Sequence, residues 1–371
     1  MKIQFYSTPD GVKTWNQCYL GGTMTFTSFS CNPKFVGYGK FELVMPYNER
    51  WLGVLDLNYL VEVCVNGSGN YADWYIIQSI EFDTKNIIIS GYDLNYLLTL
   101  RSSVYVNNNT QDYDPVSGTT AQCIQHYLDS NMINPANENR RIPLSFSANG
   151  VAGKTNDVYL AKLKPINEIV DDLCTGAEIG YVIKGSSGAS VAKLSFSLLQ
   201  GVDRSVTQNV VSPVILGASK RNVRSIKFIR DCTDEVNCIW ATGAGATMAV
   251  FRDVTNIPVG ILRRECAVDV DVQSVSDLSK YALYEVRDNV RADNYTVEPD
   301  SGTFGTMYKL GDVISVRDDV QKIFYNAAVT QASVSYTPGH KNVSITVGKP
   351  KMKLLDGIVN NVKNGTAKSS G

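Results

Sequence analysis

The sequence predicts a β-rich α+β protein, with two small antiparallel β-barrel domains and a mixed α/β module between them. Three observations carry that expectation. Both ends of the chain show period-two alternation broken by Gly, Asn and Pro turns, the pattern of antiparallel strands. Between them the period lengthens to that of helices. The composition, with 20 Tyr, 29 Gly and 44% hydrophobic residues, suits pleated, half-buried surfaces backed by cores. At roughly 150 residues per domain, 371 residues make two or three domains.

Taken in order, the first domain is expected over 1–105. Met1 to Tyr6 alternates, a polar turn follows at Ser7 to Gly11, and Met24 to Thr27 reads as another strand. Phe41, Leu43 and Met45 form one face of a strand stopped by Pro46; Val61, Val63 and Val65 form the next. Tyr75–Ile77, Ile80–Phe82 and Ile87–Asp93 complete the set. Successive strands of this kind favour a small barrel or sandwich, because closure removes exposed edges.

The middle module is expected over 106–215, after a polar stretch running from Arg101 to Ser117. Thr119 with Gln122 has the spacing of a capping box, ahead of Ile124, Tyr127 and Leu128 on one helical face. Pro165 suits the first position of a second helix, whose stripe is Ile166, Ile169, Val170 and Leu173, with Gly176 as its stop. A hairpin turns around Gly185–Gly188.

A second barrel with an inserted helix is expected over 216–348. Val223 to Ile229 and Asn237 to Ala241 read as strands. Leu278, Ala282, Val286 and Val290 mark a helix over Ser276–Asn289, and a hairpin folds about Pro338–Lys341. The last stretch, 349–371, carries an amphipathic stripe of Leu354, Leu355, Ile358, Val359 and Val362, suited either to packing back on its own domain or to docking on a partner, before an ending rich in Gly, Ser and Lys.

Charge excludes some functions. Thirty-five basic and 36 acidic residues are spread without long runs, for a net charge of -1, so nothing points to nucleic acid or an anionic membrane. No apolar run nears the roughly 18 residues of a membrane span, and no secretory h-region follows Met1. The eight cysteines are scattered singly and read as free thiols of a reducing cytoplasm; Cys232 and Cys238 match no common zinc spacing.

Candidate chemistry is thin. Only His126 and His340 exist; Cys123 lies three residues before His126, yet both sit on one helical turn without an orienting group. Asp171, Asp172 and Glu178 are conceivable glycosidase carboxylates, but two neighbours on a helix read as a solvated outer face. Thr242-Gly243-Ala244-Gly245-Ala246 lacks the third glycine of a dinucleotide fingerprint and reads as a loop between strands. Asp83, Asp93, Asp269, Asp271 and Asp277 lack calcium-loop spacing. We therefore expect no catalytic residues, no metal and no cofactor.

Several stretches are similar to a known family. Phe41-Glu42-Leu43-Val44-Met45-Pro46 and Ile89 to Arg101 resemble the opening barrel of the hub proteins at the tail tip or baseplate of long-tailed bacteriophages and related contractile particles. Ile179-Gly180-Tyr181, Gly201-Val202-Asp203-Arg204-Ser205 and Asn222-Val223-Arg224-Ser225 resemble the end of its middle domain and the return to barrel. Tyr308 to Val316, Ala328 to Ala332 and Val343 to Gly348 resemble its closing barrel. The resemblance spans about residues 35–348 in matching order; residues 1–34 and the stretch after Gly348 carry no such words. It implies a non-enzymatic homotrimer whose six barrel units form a ring. That ring meets the hexameric tail tube on one side, with distal tail or baseplate proteins and a spike or tip protein as its other partners. It also implies a place in the virion tail after synthesis in the bacterial host cytoplasm. Two other classes compete: a tail-associated cell-wall hydrolase or peptidase, and a receptor- or carbohydrate-binding protein using its tyrosines and Trp15, Trp51, Trp74 and Trp240.

Overall fold

Alternation becomes strand wherever one face of the segment finds a core. The computed structural model describes residues 1–65, 72–104, 114–161, 163–185, 191–270, 274–286, 289–300, 302–320 and 322–348. The first region supplies β1 (Lys2–Tyr6), a short α1 (Trp15–Cys18), β2 (Tyr19–Thr23), β3 (Ser28–Cys31), β4 (Lys40–Pro46), β5 (Leu60–Cys64), β6 (Ala72–Phe82) and β7 (Asn86–Asp93). The middle holds β8 (Asp114–Thr119), α2 (Thr120–Leu128), β9 (Leu144–Ser147), β10 (Thr155–Ala161), α3 (Ile166–Ala177), β11 (Gly180–Gly185) and β12 (Leu194–Leu199). The rest comprises β13 (Ile215–Gly217), β14 (Val223–Asp231), β15 (Cys238–Gly243), β16 (Ala246–Phe251), β17 (Glu265–Asp269), α4 (Val275–Glu285), β18 (Ala292–Pro299), β19 (Val313–Asp318), β20 (Ile323–Thr337) and β21 (His340–Gly348). No helix among the described residues is long and apolar enough to cross a membrane.

The chain divides into two units. The first joins Met1–Ile226 to Val297–Val347; the second is Lys227–Thr296 with, among the described residues, Gly348. In the first unit the strand order β20-β3-β4-β7-β6-β5-β1-β2 is antiparallel throughout. The β-rich α+β class is what the alternation predicted. The described strands form no closed barrel: β2 ends the path, and β3 is continued by β20, with Cys31 opposite Val334 and Phe29 opposite Tyr336. The long β20 pairs with β19 through Ile323–Ala328 and with β21 through Val329–Thr337. One late strand thus serves several partners, and period two fixes a strand's faces without naming its neighbours.

The middle helices form as their caps and stripes require. Thr119 caps α2 in a reciprocal capping box with Gln122, and Ile124, Tyr127 and Leu128 are buried. Ile166, Ile169, Val170 and Leu173 of α3 are buried in the same core as Tyr181, Phe196 and Leu198 from β11 and β12. Pro165 is the N-cap of α3, one residue earlier than expected. Gly176 does not stop the helix: it runs to Ala177 and ends at Glu178, which takes the left-handed conformation with φ 57°. The expected hairpin is β11 with β12, paired from Gly180–Leu199 to Gly185–Leu194.

The second unit is a small α/β module. Its sheet order is β16-β15-β17, with β16 antiparallel and β17 parallel to β15. Helix α4 is shorter than expected and lays Leu278, Ala282 and Val286 against Ile239, Ala241 and Val250.

Candidate functional site: a glycine junction and an exposed apolar loop

Three family-like stretches meet at one buried side chain in the first unit, and a fourth joins beside it through Asp312. Phe35 donates its N–H to the Thr330 carbonyl at 2.9 Å and accepts from the Tyr181 N–H at 3.3 Å. Its ring lies between Gly180 and Gly311. A Cβ on Gly180 would stand 2.4 Å from the ring, and one on Gly311, whose φ is +88°, would stand 2.2 Å from it. Only a residue without a side chain permits that approach. Beside Gly311, the fully buried Asp312 accepts from the Val202 N–H at 2.9 Å, the Lys309 N–H at 3.1 Å and the Arg204 guanidinium at 3.1 Å. A buried carboxylate holding three donors is spent on architecture. Asn95 works the same way: it donates to the Gly37 carbonyl at 2.9 Å and accepts from the Ile183 N–H at 2.8 Å, stitching the family-like 89–101 stretch to β11.

The sequence-predicted chemical residues are likewise engaged. Asp172 is buried and Asp171 half-buried, and both are engaged within the chain. Asp172, 3% exposed, accepts from the Tyr159 hydroxyl at 2.9 Å and the Lys164 ammonium at 2.6 Å, while Asp171 accepts from the Tyr181 hydroxyl at 2.7 Å. The apolar stripe hid this, because all three partners, Tyr159, Lys164 and Tyr181, come from outside the helix. Glu178 is the exposed helix cap.

His126 pairs through Nε2 with both oxygens of Asp114 at 3.0 Å, and that hydrogen bond raises the imidazole above its ordinary range. Cys123 is buried, its thiol pushed up by desolvation and directed at the Gly118 carbonyl at 3.8 Å, the opposite of an activated nucleophile. Residues 243–246 form a tight hairpin turn with Ala244 and Gly245 both at positive φ, the geometry of a type I′ turn rather than a phosphate cradle. Asp83 closes the β6–β7 turn, Asp93 caps the turn after β7, and Asp269 accepts from Thr242. Asp271 and the side chain of Asp277 lie outside the described residues, as do Leu354, Leu355, Ile358, Val359 and Val362. Among the described residues no three His, Cys, Asp or Glu gather as a metal site.

The second unit carries a surface that sequence reading missed. The connection from β16 to β17 contains Val254, Ile257, Val259, Ile261 and Leu262, all exposed, with Ile261 at 97%. Its hydrophobicity looks like core sequence, and only its position outside any strand puts it in water. The connection is held in place at its ends. Asp253 accepts from the Thr255 N–H at 2.9 Å, the Asn237 amide donates to the Leu262 carbonyl at 2.8 Å, and Arg252 donates to the Val236 and Val286 carbonyls. On the sheet face turned from α4, Trp240 is 40% exposed and stands in register between Ala249 and Ala267.

This β-rich architecture is shared with solved phage tail proteins. The 43 kDa tail protein of prophage MuSo2 from Shewanella oneidensis superposes with a TM-score of 0.54 at 13% identity, over 94% of this chain and 98% of that one. The tail protein from Neisseria meningitidis MC58 gives 0.54 at 14% identity, over 94% and 96%. The prophage tail protein gp18 from Listeria monocytogenes EGD-e gives 0.51 at 12% identity, over 98% and 99%. At these identities the likeness is one of fold. The chain belongs to the Siphovirus ReqiPepy6 Gp37-like protein family, whose model matches residues 15–349 and so reaches back into the stretch without recognisable words. A comparison with curated proteins gives no match.

Proposed function

We propose that this chain is the structural hub of a phage tail tip or baseplate. In this reading three copies form a ring that joins the hexameric tail tube to a spike or tip apparatus, within the virion tail. Each copy presents two β-barrel-like units, in 1–105 and 216–348, on either side of the 106–215 module, and performs no turnover. The stripe of Leu354, Leu355, Ile358, Val359 and Val362 docks on a neighbouring component. The observation that carries the reading is the fold correspondence with tail proteins over nearly the full length of both chains. The engagement of Asp171, Asp172, His126 and Asp312 in internal hydrogen bonds supports an architectural role.

The test is particle mass and imaging of the purified chain, with and without the tail tube protein of its own phage. A three-copy ring that caps tubes is expected. A monomer that releases sugars or peptides from bacterial cell walls, with loss of release on changing Asp171, Asp172, Glu178 or His126, would overturn the reading in favour of the hydrolase.

A further inference from the structure

We infer that the apolar loop 254–262 of one copy docks on the Trp240 face of a second copy of this chain. The inference names a contact within the proposed ring and so rests on that reading. Side chains exposed as far as Val254, Val259, Ile261 and Leu262 place on the order of several hundred Å² of apolar surface in one loop, the size that marks an interaction site. One partner of a standard interface buries about 800 Å². In this contact the loop supplies one partner's share and the Trp240 face the other's, and the loop alone brings a large part of its side.

Charge narrows the partner. The arginines flanking the loop are committed internally: Arg263 pairs with Glu265, Arg264 donates to the Cys232 carbonyl at 2.7 Å and lies 3.7 Å from Glu235, and Arg252 holds two backbone carbonyls. With these three arginines engaged, the described part of the patch presents mainly apolar side chains, which suits a protein surface better than a phosphate-bearing one. The receiving floor is on the same unit. Trp240 projects between Ala249 and Ala267, whose small side chains leave room beside the indole. Aliphatic knobs on an aromatic floor are the composition of interface centres. Loop and floor are different surfaces, and joined head-to-tail with a rotation that closes they build the ring of the proposed hub.

Trp240 also supplies the readout, because it is the most exposed tryptophan, Trp51 and Trp74 being buried and Trp15 half-buried. The full chain is examined by sedimentation velocity and acrylamide quenching across a concentration series. Ile261→Asp and Trp240→Ala are compared with Val210→Asp, which alters an apolar residue 87% exposed in the first unit. Expected is a wild-type mass of three copies, with emission that becomes more quenchable on dilution. Ile261→Asp and Trp240→Ala should fall toward the mass of one chain with unchanged circular dichroism, while Val210→Asp behaves as wild type. A three-copy mass retained by Ile261→Asp overturns this contact and leaves the hub reading standing. A wild-type monomer that floats with phosphatidylglycerol vesicles overturns it in favour of a membrane surface. A wild-type monomer that still caps tail tubes overturns self-contact while keeping attachment to the tube.

Discussion

The junction at Phe35 and the loop at Ile261 use the same residue types to opposite ends. At Phe35 an aromatic ring is enclosed by two glycines, and the neighbouring carboxylate of Asp312 is satisfied by three donors. At Ile261 an aliphatic run is held out in water by a loop whose own polar groups are tied back to its module. The first arrangement is finished within the chain. The second is costly unless something covers it. Internal satisfaction marks where the protein holds itself together, and the exposed apolar surface is where the contact is proposed.

The comparison breaks most easily at the junction. Gly311→Ala adds a Cβ where φ is +88° and Phe35 stands 2.2 Å away, so left-handed strain and overpacking combine to about 2–5 kcal/mol. Urea denaturation should show that loss, with part of it recovered when Phe35→Leu is added. A neutral Gly311→Ala would mean that the ring is not enclosed as described.

Next comes the small core of the second unit. Leu278→Ala removes a fully buried side chain of α4 and should cost about 2–4 kcal/mol, read as faster amide exchange in β15, β16 and β17. Unchanged exchange there would show that α4 contributes little to the sheet beneath it.

A smaller effect is expected from pH. Burial raises Asp93 to about 7, although the Gly39 and Asn95 N–H groups pull it down. Its folded value lies above the unfolded one near about 3.9, so its contribution is whole below about pH 4 and is lost as pH rises through about 7. His126 has the same sign: its contribution is whole below about pH 6.5 and fades as pH rises through its elevated value. The urea midpoint should therefore lose these contributions between pH 4 and about 8. Asp93→Asn should flatten the lower part of that dependence and His126→Gln the upper part; a slope retained in the double variant would assign it to other groups.

The smallest effect sharpens the contrast. Ile261→Asp should change the stability of a single chain by no more than about 0.5 kcal/mol, because the side chain has almost no contacts to lose. A large loss would place Ile261 in a core and remove the distinction between the two regions.

Much of the fold was legible because its causes are local. The Thr119–Gln122 capping box, the α3 stripe, the Thr337–His340 hairpin and the apolar face of α4 each depend on residues within a few turns or pleats of one another. The family words were readable in order for the same reason, since turn and strand grammar is written in short stretches. Tertiary structure decided the rest. It brought β20 to β3, turned Asp172 inward onto Tyr159 and Lys164, set Phe35 between Gly180 and Gly311, and left Ile257 to Leu262 outside every strand. A side chain's periodicity is set by its own backbone, but its partners are set by segments far along the chain. Whether an apolar run becomes core or contact surface depends on which of those segments arrives to cover it.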